Sequence, residues 1–326
     1  MLVTNCPDPD SEQVGERTFS LRILNSRTGQ EVRTFGVNGP PARVVAWSPD
    51  GSMIATSDRL ASSRTNQSVS LWDVKSGRRL HFIEGAHKPS DGNTIECRDI
   101  AWSPDSSQIA SCGGDKCVKI WQASTGKLEK VLGGHAAVLG SVEWSPDGSW
   151  LASSDWHHTV KIWDAETWEA KWEMRVKPFQ GSTGSNGTSA IAWNTKSNHL
   201  SARFGRGRLA VWNVDQHRPP ELVWTTEAHS SNIRAVDWNS DGRRIASLSE
   251  DRLLKIWDAE TGRELLPLDV GFSGACSLAW SPDGARLACN NFVDEMLIWD
   301  ASRAINMEKS ASTDAHNGEE AKPLPD

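Results

Sequence analysis

Hydrophobic and polar residues alternate over short stretches of the chain, and turn residues separate these stretches. A representative stretch is Val142-Glu143-Trp144, followed by Ser145-Pro146-Asp147-Gly148 and then by Leu151-Ala152-Ser153-Ser154. Alternation with a period of two places one face of a strand against a core. Pro, Asp and Gly are the residues that tight turns require. The pattern predicts an all-β chain of short strands joined by tight turns.

Two phrases repeat along the chain, and each is built around a tryptophan. The first reads Trp-Ser-Pro-Asp-Gly or a remnant of it, and it begins at Trp47, Trp102, Trp144, Trp193, Trp238 and Trp280. The second reads Ile-Trp-Asp or similar, and its tryptophans are Trp72, Trp121, Trp163, Trp212, Trp257 and Trp299. Together they contain 12 of the 17 tryptophans. A period near 42 residues with four strands per unit predicts a β-propeller.

These phrases resemble the WD-repeat (WD40) family, in the form common in bacteria, over roughly residues 1 to 303. The resemblance implies a WD40 β-propeller, a ring of blades around a central channel. Six units run from about residue 43 to about residue 309, and residues 2–35 resemble strands b, c and d of a seventh blade. We therefore expect seven blade positions with the seventh incomplete, a propeller over 1–303, and a strand remnant with a disordered tail over 304–326.

The incomplete seventh blade has two explanations. The favoured one is that the chain is a fragment of a longer protein, because Met1 falls inside a predicted strand. The alternative is a working protein whose seventh blade is incomplete. We expect a monomer unless the open blade drives dimerisation, since an unpaired strand edge is a template for pairing.

The resemblance further implies a buried network in each blade. In this network a His before strand a, a Ser or Thr on strand b, an Asp after strand b and a Trp on strand c are hydrogen-bonded. Two sets are complete: His87, Ser111, Asp115 and Trp121, and His229, Ser247, Asp251 and Trp257. A third set keeps His135, Ser153 and Trp163, with His157 at the Asp position. Two blades depart further, with Ala202 and Arg206 before Trp212, and Cys289 and Val293 before Trp299. Blades without the full network are expected to be less rigid.

A candidate partner-binding surface follows from the repeat register. Arg43, Arg98 and Arg234 each lie four residues before a strand-a tryptophan. Trp156 precedes His157 in the b–c turn of blade three, which the family places on the same face. Exposed tryptophan beside arginine is typical of interface hot spots. The alternative is that these arginines are solvated or paired with neighbouring acids.

Charge and composition narrow the function. The net charge of −7 argues against general nucleic-acid binding. No apolar run is long enough for a membrane helix, and no secretory signal is found, so a cytoplasmic location is expected. The six cysteines contain no Cys-x-x-Cys pair and are expected to be thiols of a reduced protein.

Catalytic patterns are weak in this sequence. Neither a Gly-x-Ser-x-Gly elbow nor a His-Glu-x-x-His motif occurs, and three of the nine histidines are assigned to the buried network. We expect a non-catalytic scaffold or adaptor for a protein or peptide partner, with no cofactor and no metal. The alternatives are a propeller enzyme of hydrolase or lactonase type, and a sensor domain of a larger signalling protein such as a serine/threonine kinase.

Overall fold

The structure is a computed structural model that describes most of the repeat region. The described residues are 2–7, 19–25, 28, 30–37, 42, 44–59, 67–87, 97–175, 190–196, 198–205, 207–271, 275–291 and 296–301. They form strands and turns, so this part of the chain holds no helix that could cross a membrane. The tail expected over 304–326 lies outside the described residues, as do Arg43, Arg206 and Val293.

The strands form seven antiparallel sheets, each hydrogen-bonded in chain order. The first, here called the N-terminal sheet, has three strands: β1 (Leu2–Pro7), β2 (Phe19–Leu24) and β3 (Glu31–Val37). Blade one consists of β4 (Val45–Trp47), β5 (Met53–Arg59), β6 (Gln67–Asp73) and β7 (Arg79–His87). Blade two consists of β8 (Cys97–Trp102), β9 (Gln108–Gly113), β10 (Val118–Gln122) and β11 (Leu128–Leu132). Blade three consists of β12 (Leu139–Trp144), β13 (Trp150–Asp155), β14 (Thr159–Asp164) and β15 (Ala170–Arg175).

The remaining three sheets continue the same arrangement. Blade four consists of β16 (Ile191–Trp193), β17 (His199–Phe204), β18 (Arg208–Asn213) and β19 (Glu221–Glu227). Blade five consists of β20 (Ile233–Trp238), β21 (Arg244–Ser249), β22 (Leu253–Asp258) and β23 (Glu264–Asp269). Blade six has three strands among the described residues: β24 (Ala275–Trp280), β25 (Arg286–Asn291) and β26 (Met296–Asp300). The four strands of a blade are called a to d in chain order. The all-β prediction is confirmed.

The Ser-Pro-Asp-Gly phrase builds the turn between strands a and b. In blade one, the amide of Gly51 donates to the Ser48 carbonyl oxygen at 2.9 Å, and Gly51 has a φ of 71°. The Asp50 carboxylate accepts from Ser48 Oγ at 2.6 Å and from the Ser52 amide at 3.0 Å. A glycine suits this turn because positive φ is costly for other residues.

Two of these turns replace the serine by asparagine and gain a contact between blades. Asn194 Oδ1 accepts from the Lys196 amide at 2.8 Å, while its Nδ2 donates to the Gly242 carbonyl oxygen of blade five at 2.9 Å. Asn239 Nδ2 likewise donates to the Gly284 carbonyl oxygen of blade six at 3.2 Å. The departure from the repeat phrase therefore joins neighbouring turns.

The hydrophobic core lies between the sheets. Each of six buried clusters joins neighbouring sheets, from the N-terminal sheet through to blade six. The first packs Leu21, Ile23 and Phe35 against Ile54 and Trp72 of blade one. Among the described residues, none of these clusters joins blade six to the N-terminal sheet.

Neighbouring blades meet mainly through strand a. Several strand-a indoles donate to a carbonyl oxygen of the preceding blade. These bonds are Trp102 Nε1 to Ala46 at 3.1 Å, Trp193 Nε1 to Glu143 at 3.3 Å and Trp238 Nε1 to Ala192 at 2.9 Å. The first repeat phrase thus supplies both the a–b turn and a link between inner strands.

Candidate functional site

The buried network of blade two is a chain of three hydrogen bonds. Trp121 Nε1 donates to Ser111 Oγ at 2.8 Å, and Ser111 Oγ lies 2.9 Å from His87 Nε2. His87 Nδ1 lies 2.7 Å from Asp115 Oδ1. Lys119 Nζ is 2.7 Å from the other carboxylate oxygen of Asp115. Blade five contains the same chain through Trp257, Ser247, His229 and Asp251.

Burial determines the protonation of these histidines. It lowers the pKa of His87 and of His229, even though each faces an aspartate that acts in the opposite direction. Burial also works against ionisation of Asp115, but the hydrogen bonds and charges of His87 and Lys119 hold the pKa of Asp115 below its usual value. Each of these two histidines is therefore a neutral imidazole, with its proton on Nδ1, and it faces a charged aspartate.

In blade three the structure corrects the assignment of His157 to the aspartate position. His135 Nδ1 lies 3.0 Å from Asp155 Oδ2, and His135 Nε2 lies 2.8 Å from Ser153 Oγ, which accepts from Trp163 Nε1 at 2.8 Å. Asp155 is the last residue of β13, two positions earlier than the aspartates of blades two and five. Its carboxylate also accepts from the His157 amide at 2.9 Å. Blade three therefore has a complete network.

The antiparallel order gives the propeller two distinct faces. The starts of strand a and the b–c turns lie at one face, here called the b–c face, and the a–b and c–d turns lie at the other, here called the a–b face. The b–c face carries Arg98, Trp156, His157, Arg203 and Arg234 among the described residues. Of the sequence-predicted binding residues, only Arg43 is outside the described part of the chain.

Arg98 and Trp156 are brought together on the b–c face. The Arg98 guanidinium carbon lies 4.9 Å from the centroid of the Trp156 ring, across the boundary between blades two and three. Arg98 is the extra residue of a β-bulge, because Cys97 pairs with Gly113 and Asp99 pairs with Cys112. A bulge can redirect a side chain away from the sheet. Trp156 is half-buried and His157 is exposed.

Arg234 occupies the matching bulge in blade five and forms an ion pair with Glu250. Arg234 therefore fits the alternative that sequence left open, namely pairing with a neighbouring acid. Sequence reasoning missed Arg203, which lies on β17 near these two residues and is buried. Burial, with the charge of Arg203 as a second cause, lowers the pKa of His158 in the neighbouring b–c turn. The signal in the sequence was an arginine at a strand-b position that is small or apolar in other repeats.

The a–b face contains a cavity of about 660 Å³ between blades two, three and four. Asp105, Asp147, Asp164, Trp144 and His217 are among its lining residues. The described residues contain no group of three or more His, Cys, Asp and Glu side chains able to hold a metal ion. Cys97, Cys112, Cys117 and Cys289 are thiols in the structure.

Comparison with known proteins agrees with this fold. The WD domain, G-beta repeat family matches residues 29–73, 82–122, 126–164 and 220–258, which amount to about half of the chain. The chain belongs to this family of WD40 propellers, and the predicted fold class is confirmed.

Two relatives match the chain at low sequence identity. WD repeat-containing protein 1 of Mus musculus is 24% identical over 278 residues, which are 83% of this chain and 34% of that protein. Transcriptional corepressor LEUNIG_HOMOLOG of Arabidopsis thaliana is 24% identical over 204 residues, which are 62% of this chain and 23% of that protein. The chain thus spans about a quarter to a third of the length of these two relatives.

A similar solved structure comes from the crystal structure of the mitotic checkpoint complex. Its matching chain superposes with a TM-score of 0.71 at 21% identity, covering 86% of this chain and 84% of that chain. At this level of identity the similarity concerns the fold.

Proposed function

We propose that this chain is a non-catalytic interaction scaffold that binds a protein or peptide partner through its b–c face. The observation that carries the proposal is the contact of the Arg98 guanidinium with the Trp156 ring at the boundary of two blades. Arginine and tryptophan are enriched among interface hot spots, because tryptophan covers a large area at little cost in conformational entropy and arginine offers five donors in a planar group. A rigid propeller supports them on bulges and tight turns rather than on long loops.

The test compares partner capture by the chain and by variants of this face. Immobilised protein is incubated with extract of the cells that produce it, and retained proteins are quantified by mass spectrometry. We expect Arg98→Ala and Trp156→Ala each to reduce retention of the same partner by about tenfold or more, as hot-spot losses of about 2 kcal/mol imply.

The matched control is Arg243→Ala, since Arg243 is exposed in the a–b turn of blade five, at the opposite face. This variant should retain the partner as the unmodified chain does. Equal retention by all four proteins, with unchanged thermal unfolding, contradicts binding through the b–c face.

The proposal extends to a cytoplasmic location, to the absence of catalysis and to the bacterial form of the repeat. These three points rest on sequence patterns, and the relatives named above come from eukaryotes. Turnover of generic ester and lactone substrates, with and without divalent metal, tests the absence of catalysis. Metal-dependent turnover would overturn it.

A further inference from the structure

Blade four breaks the repeat at one buried position on strand b. Arg203 stands there, and pairing within the blades places uncharged residues at the same position elsewhere. These are Ser57, Cys112, Ser154, Leu248 and Asn290. The propeller architecture therefore has no need for a charge at this position. Burying a charge without a paired opposite charge costs stability.

The surroundings of Arg203 leave its charge without an ion pair among the described residues. Arg203 is only 3% exposed, and its Nη1 donates to the Ile233 carbonyl oxygen of blade five at 2.7 Å. A guanidinium carries five N–H donors, so one bond uses a small part of its capacity. Burial and the neighbouring Arg234 lower the pKa of Arg203 to about 9, which leaves it charged at neutral pH.

The nearby carboxylate is already engaged. Glu250 forms the ion pair with Arg234 and accepts from Asn232 Nδ2 at 2.8 Å. Within the described residues no carboxylate lies at ion-pair distance from Arg203. Two guanidinium groups thus share one carboxylate at this point of the b–c face.

The immediate neighbourhood is positive, although the chain as a whole carries a net charge of −7. His158 faces Arg203 from blade three, and the amide of Gly205 donates to His158 Nδ1 at 3.4 Å. A side chain at Gly205 would meet no atom within 4 Å, so the turn beside Arg203 leaves open space. The ligand that complements a guanidinium in such a setting is a carboxylate.

We propose that Arg203 receives a carboxylate from an acidic segment of the partner protein, with Arg234 supplying the second positive charge. The inference rests on the proposed function and specifies the chemistry of the partner. A segment of a protein fits better than a small anion, because the Arg98–Trp156 contact offers an apolar ring on the same face. The net negative charge of the chain repels an acidic ligand from the rest of the surface, so the ligand must bind where these two arginines make the surroundings positive.

The probe is a fluorescein-labelled hexaglutamate peptide, with hexaglutamine of the same length as the uncharged control. Binding to the full chain is followed by fluorescence anisotropy. We expect hexaglutamate to bind at least tenfold more tightly than hexaglutamine, because the second peptide leaves Arg203 without a charged partner. Equal affinity for the two peptides overturns the proposal.

The decisive variant is Arg203→Leu, which places in blade four the residue that blade five carries as Leu248. We expect hexaglutamate affinity to fall at least tenfold while the midpoint of thermal unfolding stays equal or rises, since a buried uncompensated charge has been removed. Unchanged affinity overturns the proposal. So does a marked loss of stability, which would make Arg203 a structural residue.

A second variant is expected to increase the affinity for hexaglutamate, an effect that loss of folding cannot produce. Glu250→Gln removes the carboxylate that competes for the two arginines, so hexaglutamate affinity should rise about threefold or more. An unchanged or weaker affinity contradicts the proposal.

If Arg98→Ala and Trp156→Ala release the captured partner while hexaglutamate does not bind, the acidic chemistry fails and the proposed function stands. If hexaglutamate binds through Arg203 while those variants retain the partner, the proposed use of Arg98 and Trp156 fails.

Discussion

At the scale of single residues, the Trp-Ser-His-Asp chain has a fixed direction. An indole nitrogen can only donate and an ionised carboxylate can only accept, so every hydrogen bond between them points the same way. In blade two the order is Trp121 to Ser111 to His87 to Asp115. Ser111 both accepts and donates within this chain, which only a hydroxyl side chain at this position can do; in blade one Thr56 accepts from Trp72 Nε1 at 3.0 Å.

Replacing this serine therefore removes two bonds at once. We expect Ser111→Ala to lower the free energy of unfolding by about 2–4 kcal/mol, because Trp121 Nε1 and His87 Nε2 are left buried without partners. Urea denaturation measures the change. The control is Ser107→Ala in the same blade, where the hydroxyl is exposed and bonds to Asp105. A loss for Ser111→Ala no larger than that of the control would contradict a stabilising network.

At the scale of elements, carboxylates on strand a of blades two, three and five join these inner strands to the next blade. Asp99 Oδ2 accepts from the Val142 amide at 3.0 Å, and Glu143 Oε2 accepts from the Trp193 amide at 2.9 Å. Asp237 Oδ2 accepts from the Trp280 amide at 2.6 Å. Burial raises the pKa of Asp99 to about 6 and that of Asp237 to about 7. It also raises the pKa of Glu143, and the charges of Asp237 and Asp99 add to that effect.

A raised pKa makes the stability contribution of Asp237 depend on pH. The folded state binds the proton more tightly than the unfolded state, so the contribution is largest below pH 3.8 and falls as pH rises through about 7. Relative to Asp237→Asn, the unmodified chain should lose about 2 kcal/mol of stability between pH 5 and pH 8. Urea unfolding of both proteins at several pH values measures this difference.

The control for this experiment is Asp241→Asn in the exposed a–b turn of the same blade. Its difference from the unmodified chain should change much less over the same range, because Asp241 is exposed at the surface and not buried between two blades. A pH-independent difference for Asp237→Asn would show that the strand-a carboxylate does not change its proton binding on folding.

At the scale of the whole molecule, each sheet is stabilised by its neighbours. The buried clusters form a series from the N-terminal sheet to blade six, and stacked repeats of this kind are coupled mainly to the next repeat. Phe35 shows this for the N-terminal sheet: its ring is stacked on Trp72 of blade one, with centroids 6.5 Å apart. The N-terminal sheet and blade one therefore form one cooperative pair.

Removing the Phe35 ring should affect only that pair. We expect Phe35→Ala to speed amide hydrogen exchange in β2, β3 and β6 and to leave β12 to β14 of blade three unchanged, as measured by mass spectrometry. Phe82→Ala is the control, since Phe82 is 41% exposed on the outer strand of blade one. Faster exchange throughout all blades would instead indicate that the propeller opens as a single unit.

The sequence by itself determined the periodic features of this protein. The strands and the a–b turns follow from residues at fixed spacing, because a period of two and a tight turn are local properties of the chain. The networks of blades two and five were expected from the resemblance to the WD-repeat family. The same local logic fails where a repeat departs from its pattern. Trp168 precedes β15 and takes the turn position that Gly262 holds in blade five, with a φ of 62°.

Only the tertiary structure decided which residues meet between blades. Asp155 completes the network of blade three because the end of β13 carries its carboxylate to His135. Arg98 meets Trp156, and Arg203 meets the Ile233 carbonyl oxygen, across blade boundaries. These partners lie about 20 to 60 residues apart in the sequence, and their contact depends on bulges and on how neighbouring sheets pack. A local pattern carries no information about that packing, so the contact of Arg98 with Trp156 and the position of Arg203 became visible only in the folded propeller.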